Sequence, residues 1–320
     1  MKKVLITGPL GQDGILLTEL LQNEYDLTGI CRMSTSIDRF NNHKKKYNIN
    51  LLMSELSDIN YVNYLIKNLN PDIVINFAGE TDVVNPWNDT YKTFEQNVII
   101  PTNLLNSIVK QNKDIFFFQA SSSLMYGRSD EKIITEKSKF SPMFPYGVSK
   151  LTTHTLLNEY RNKYGLRCSS GIFFNHESFY RSEKFISKKL SSLVSDIIKG
   201  DPKKINLHDL NFYRDLSHAE DFMRGVKLII DKEINDDFIF SSGILTNILE
   251  FSKKFFTLHN LNFYDYINYT ETNTIIDYKI IGNNSKLKSI GWEPLYSIDN
   301  MITNMVDLEL KHNTNNNIKL

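Results

Sequence analysis

Six short apolar, β-branched runs alternate with segments of helical spacing through the first half of the chain. The runs are KVLIT, DLTGI, NLLM, DIVINF, DIFFFQ and RCSSGIFF; between them lie GILLTELLQNEY, INYVNYLIKNL, YKTFEQNVIIPTNLLNSIVKQ and YGVSKLTTHTLLNEYRNKY. Parallel strands need a crossover between them, and strands covered on both faces read as near-continuous apolar runs. The order therefore predicts an α/β fold, a Rossmann-type doubly wound parallel sheet with helices on both faces. After about Ile172 the alternation loosens and charged and aromatic residues mix. Residues 172–320 are expected to form mainly a smaller, interleaved α/β lobe that binds substrate, with segments returning to a first domain of residues 1–171. The polar, Asn-rich tail KHNTNNNIKL lacks an apolar face and is expected to fray.

Charge narrows the partners. The 37 Lys and Arg balance the 37 Asp and Glu, so there is no basic excess for nucleic-acid binding. The first apolar run stops at Ile6, too short for a signal-peptide core or a membrane helix, and the reading is a cytoplasmic protein. Cys31 and Cys168 show no metal-type pairing and read as ordinary thiols of a reducing compartment; no metal site is expected.

In TGPLGQDG, Gly8, Gly11 and Gly14 follow a strand and open a helix. Residues without side chains allow a tight turn there and let a pyrophosphate approach the helix N-terminus, although a plain β-α turn has the same pattern. Where the second strand ends, NAD-selective proteins place an acidic residue for the ribose diol. Here the chain reads Ile30-Cys31-Arg32-Met33-Ser34, and a guanidinium with a nearby hydroxyl suits a 2′-phosphate. NADP(H) is the expected cofactor; the competing reading of Arg32 is a solvated surface residue.

Tyr146 and Lys150 in PYGVSK stand four apart, on one face of a helix, and QASSSLMYG places hydroxyls at a strand end. A nearby ammonium is expected to lower the tyrosine's pKa, so that it can exchange a proton with a sugar alcohol or ketone while hydride moves to or from nicotinamide. Ser122 would hold the reacting oxygen. Ser121 and Ser123 are expected to satisfy backbone or substrate groups.

These motifs resemble the extended short-chain dehydrogenase/reductases that act on nucleotide sugars, most closely the GDP-mannose 4,6-dehydratase family. ITGPLGQDG is similar to that family's glycine loop, GICRMSTS to its NADP loop, INFAGETDV to its loop after the fourth strand, and GIFFNHESFYRSEKFISKKL to its Asn-His-Glu-Ser segment. The resemblance implies a cofactor site made of Gly8, Gly11, Gln12, Asp13, Gly14, Arg32, Glu55, Leu56, Ala78, Tyr146, Lys150 and His176. It implies that Thr81, Ser123, Asn175, Lys189 and Arg214 meet the substrate, with Asn175, Lys189 and Arg214 on its phosphates and His176 near the nicotinamide. It also implies a homodimer or homotetramer, through the helices over 91–110 and 146–163 and the loop STSIDRFNNHKKK.

Two departures stand out. Leu124 occupies the position of the family's glutamate, the acid/base that moves water off carbons 5 and 6, and Asn273 takes the place of an arginine that grips the guanosine diphosphate. A leucine cannot move a proton. The expected function is therefore NADP-dependent oxidation or reduction at carbon 4 of a nucleotide sugar, GDP-linked by resemblance, chiefly reduction of a 4-keto-6-deoxy sugar. The alternatives are a 4,6-dehydratase in which Glu80 or Asp82 replaces the glutamate, a 4-epimerase, and a non-catalytic nucleotide sensor.

Overall fold

The computed structural model describes residues 1–80, 87–272 and 279–314. Among the described residues, fourteen strands follow one another: β1 (Lys3–Thr7), β2 (Asp26–Cys31), β3 (Asn50–Met53), β4 (Ile73–Asn76), β5 (Phe116–Ser122), β6 (Ile133–Ile134), β7 (Cys168–Phe173), β8 (Asn175–Glu177), β9 (Ile205–His208), β10 (Tyr213–His218), β11 (Asp237–Phe240), β12 (Leu245–Asn247), β13 (Ile267–Thr270) and β14 (Ile281–Gly282). Seven of them form the main sheet, in the order β11-β7-β5-β4-β1-β2-β3, and every pairing in it is parallel. The α/β expectation holds. The strand order reverses between β1 and β4, and in such sheets ligands bind outside the carboxyl ends of the strands at that point.

The FFF run of β5 shows why the sheet is covered on both faces. Phe116 and Phe118 pack with the helices Gln12–Leu21 and Ala219–Lys232, whereas Phe117 points the other way, among the helices Ile59–Leu69 and Ile100–Gln111. All three are fully buried, and truncating such a side chain to alanine costs about 3–5 kcal/mol. The helix over INYVNYLIKNL starts where Asp58 accepts the Asn60 N–H at 2.9 Å and stops at Asn70 in the left-handed region, φ 40°. Pro145 opens the helix Pro145–Tyr164 and Gly165, φ 66°, ends it.

One expected helix differs. The stretch over 91–111 is built as Thr90–Phe94, a π-helical turn Glu95–Ile99 and Ile100–Gln111. A separate core gathers the helices Ile186–Ile198, Ile248–Thr257 and Ile298–Thr314 beside the sheet β12-β10-β8. Among the described residues, no helix is long and apolar enough to cross a membrane.

Candidate active site

Strand β1 delivers the glycine loop to the switch point. Gly8 has φ +70°, and a Cβ on it would lie 3.1 Å from the Ala78 nitrogen; a Cβ on Gly14 would fall on the Gly8 carbonyl and within 2.6 Å of the Pro9 Cα. No side chain caps the helix Gln12–Leu21, so its first N–H groups are open to an anion. The Ala78 N–H donates to Thr7 Oγ1 at 3.0 Å, tying β4 to the same loop. This cradle fits a dinucleotide pyrophosphate.

Beside it, Arg39 Nη2 donates to the Leu10 carbonyl at 2.5 Å, and burial together with the neighbouring Arg32 guanidinium lowers the Arg39 pKa. Two guanidiniums thus stand at the end of β2. Glu55 is exposed after β3; Leu56 is buried, and its carbonyl accepts from Asn103 Nδ2 at 3.1 Å.

Ser122, Tyr146 and Lys150 come together. Ser122 Oγ accepts the Leu124 N–H at 3.2 Å, and the Ser122 hydroxyl acts to lower the Tyr146 pKa. Lys150 Nζ donates to the Ala120 carbonyl at 3.0 Å and lies 5.7 Å from the centre of the Tyr146 ring. The expected lowering of the tyrosine is not found in the protein alone. Burial raises the Tyr146 pKa above its usual value, and the Ser122 hydroxyl and the Arg181 charge pull against it without prevailing. Burial pushes Lys150 down to about 8, opposed by Asp13. The desolvation that brings the pair together outweighs the attraction expected between them.

Gln12 and Asp13 turn toward β8. His176 Nε2 lies 3.0 Å from Asp13 Oδ1, and Gln12 bridges the His176 carbonyl (3.1 Å) and the Ser178 hydroxyl (2.9 Å). Two walls of a cleft follow: Ser123, Leu124, Phe144 and Gly147 on one side, Phe174, Asn175, Arg214 and Asp215 on the other. Arg214 lies over the Phe212 ring, 4.6 Å from its centre. Lys189 is exposed on the helix Ile186–Ile198 and is not among the residues lining the cleft; its neighbour Lys188 pairs with Glu309. Thr81, Asp82 and Asn273 lie outside the described residues.

The sequence matches the GDP-mannose 4,6 dehydratase family model over residues 5–305. The chain belongs to that family. GDP-mannose 4,6 dehydratase 1 of Arabidopsis thaliana is 30% identical over 327 residues, covering 97% of this chain and 90% of that one. A Sordaria araneosa GDP-mannose 4,6-dehydratase is 28% identical over 334 residues, 97% of this chain but only 61% of the longer relative. Among solved structures, a dTDP-glucose 4,6-dehydratase from Bacillus anthracis in complex with NAD superposes with a TM-score of 0.83 at 20% identity, over 98% of both chains.

Within this GDP-mannose 4,6-dehydratase family member, two residues escaped the sequence reading. Arg39 belongs to a stretch read as a loop, and its reach back to Leu10 depends on the helix Ile37–Lys46, whose N-cap is Ser36. Asn97 sits in the π turn, buried: its Oδ1 accepts the Glu80 N–H at 3.0 Å, and its Nδ2 donates to the Glu80 carbonyl at 3.2 Å and to Ser149 Oγ at 3.1 Å. The signal was there in its place among apolar neighbours, but a 3.6-residue period cannot show an inserted residue. π turns are frequent at functional sites. The Glu80 carboxylate is paired with Lys92 at 3.0 Å.

Proposed function

We propose that this protein is an NADP(H)-dependent oxidoreductase acting at carbon 4 of a nucleotide-linked sugar, and that it reduces a 4-keto-6-deoxy substrate. The observation that carries the reading is the convergence of Ser122, Tyr146 and Lys150, with the Lys150 ammonium 5.7 Å from the Tyr146 ring centre, beside a leucine where elimination would need an acid/base. Gly8, Gly11, Gly14 and Ala78 would hold the dinucleotide, and Arg32 with Arg39 its 2′-phosphate, which favours NADP over the NAD seen in the Bacillus anthracis neighbour. The bound nicotinamide supplies the hydride.

Ser122 would orient the carbonyl oxygen and Tyr146 would donate the proton that turns it into an alcohol. The Tyr146 phenol, its pKa held above the ordinary value by burial, carries its proton at neutral pH and so has one to give to the forming alkoxide. Asn175 and Arg214 are proposed to meet the diphosphate, and GDP is the nucleotide that the family favours. Ser123, His176, Glu55, Leu56, Thr81 and Lys189 keep the roles implied by the resemblance. A cytoplasmic homodimer or homotetramer completes the reading, supported by exposed Tyr91, Ile99 and Val148 along the expected interface. A monomer by light scattering at micromolar concentration would count against that part.

A second reading, a dehydratase with Glu80 as its acid/base, is favoured by the family itself and by the place of Gly79, where an added Cβ would lie 3.6 Å from Lys150 Nζ. Incubation with NADPH and a panel of 4-keto-6-deoxy nucleotide sugars separates the two. Stoichiometric NADPH oxidation, abolished by Tyr146→Phe, is expected. Loss of water from an intact sugar nucleotide without net cofactor consumption, abolished by Glu80→Gln, would instead establish the dehydratase.

A further inference from the structure

The geometry points to a subsite for the methyl group of a 6-deoxy sugar, with Leu124 as the residue that sets the preference; the inference rests on the proposed chemistry at carbon 4. Leu124 is held beside the reacting groups from two sides. Its N–H donates to Ser122 Oγ at 3.2 Å, and its carbonyl packs so closely on the first turn of the tyrosine's helix that a Cβ on Gly147 would lie 2.6 Å from it. Leu124 is 36% exposed and lines the cleft together with Met143, Phe144, Phe174 and Ile280.

A sugar whose carbon 4 oxygen lies against Ser122 and Tyr146 presents two neighbours to this wall. Carbon 3 carries a polar substituent that loses its water partners against leucine; carbon 5 carries carbon 6, which is apolar when it is a methyl. Among the described residues lining the cleft the carboxylate is Asp215, and it is already saturated. Its Oδ1 accepts from Ser242 N (2.7 Å) and Ser242 Oγ (2.6 Å), and its Oδ2 from Gly243 N (3.0 Å) and Gly282 N (3.1 Å). Four donors fill the roughly four lone-pair sites of a carboxylate, so Asp215 offers nothing to a 6-hydroxyl. The apolar stretch made by Leu124, Met143, Phe144 and Ile280 therefore favours a methyl, because these side chains cannot replace the water that a 6-hydroxyl loses against them.

Titration calorimetry on the full-length protein tests this with pairs of nucleotide sugars that differ only at carbon 6: GDP-mannose against GDP-6-deoxymannose, with the corresponding UDP- and dTDP-glucose pairs. We expect the 6-deoxy member to bind tighter by about 10- to 100-fold on at least one nucleotide, the range an apolar pocket reaches against an added hydroxyl. Leu124→Gln should erase the ratio and Leu124→Met should keep it, with NADPH binding checking that both variants fold. Equal affinities within every pair, tighter binding of the 6-hydroxy sugars, or no binding of any of them would overturn the subsite. The wild-type ratio needs no variant. A clear 6-deoxy preference without any NADPH oxidation would remove the carbon 4 reduction and leave the subsite standing.

Discussion

His176 stands between two acceptors, with Asp13 Oδ1 3.0 Å from Nε2 and the Phe174 carbonyl 2.8 Å from Nδ1. A carbonyl only accepts, so Nδ1 carries a hydrogen, and the Asp13 carboxylate beside Nε2 favours a second hydrogen there, the imidazolium form. Burial opposes that charge, yet Asp13 outweighs it and holds His176 above its ordinary value, despite Arg181 nearby. Asp13, against its own burial, is held below the carboxylate range by His176 and Arg181. The other groups facing His176 are the Phe173 and Phe222 rings and His218, which burial pushes down to about 4 and so keeps neutral.

The pair should therefore stabilise the fold within a pH window. The raised histidine contributes fully below its unfolded value of 6.5 and loses its contribution as pH rises through the folded one; the lowered aspartate contributes fully above 3.8 and loses it as pH falls through its folded value. Asp13→Asn should cost most between those two values, up to about 3–5 kcal/mol for a pair of which one partner is removed. Urea unfolding of both proteins across pH checks this; a gap that widens above pH 7 would refute the pairing.

Cofactor choice should follow the two guanidiniums. Replacing either Arg32 or Arg39 by alanine is expected to weaken NADPH binding by about 10-fold or more, the worth of a hydrogen bond to a charged group, while NADH binding changes little. Fluorescence titration of both cofactors measures it, and equal losses for the two would show that neither arginine reads the 2′-phosphate.

Lys150 should make cofactor binding depend on pH. With its pKa at about 8 in the protein alone, the ammonium that attracts an anionic dinucleotide is present below that pH and lost above it. NADP affinity is expected to be level up to about pH 7 and to fall as pH rises through 8, and Lys150→Met should flatten the curve.

Gly14→Ala should disable the loop outright. The new methyl meets the backbone of Gly8 and Pro9, which cannot swing aside as a side chain tip would. Loss of dinucleotide binding with a lowered melting temperature is the expected result; unchanged binding would mean that the loop opens elsewhere.

The elements that the sequence shows best are those in which period, cap and burial agree. INYVNYLIKNL combines an apolar face, an aspartate cap and an asparagine stop, and the helix covers those eleven residues. Ser122, Tyr146 and Lys150 were equally legible, because strand end and helical spacing already place them. The states of those groups were not: the Tyr146 pKa depends on how much water the fold removes, which no local pattern records. Nor did the spacing show that Gln12 and Asp13 would meet residues more than 160 positions away.

Asp215 has a consequence for the order in which the molecule can assemble. Its carboxylate gathers the backbone of Ser242, Gly243 and Gly282, the last 67 positions along the chain. A chain emerging in sequence order completes its dinucleotide loop within the first fifteen residues. This wall of the cleft cannot close until Gly282 has arrived. A partly made or clipped chain can therefore already possess the surface that captures cofactor while lacking the enclosure that selects a sugar.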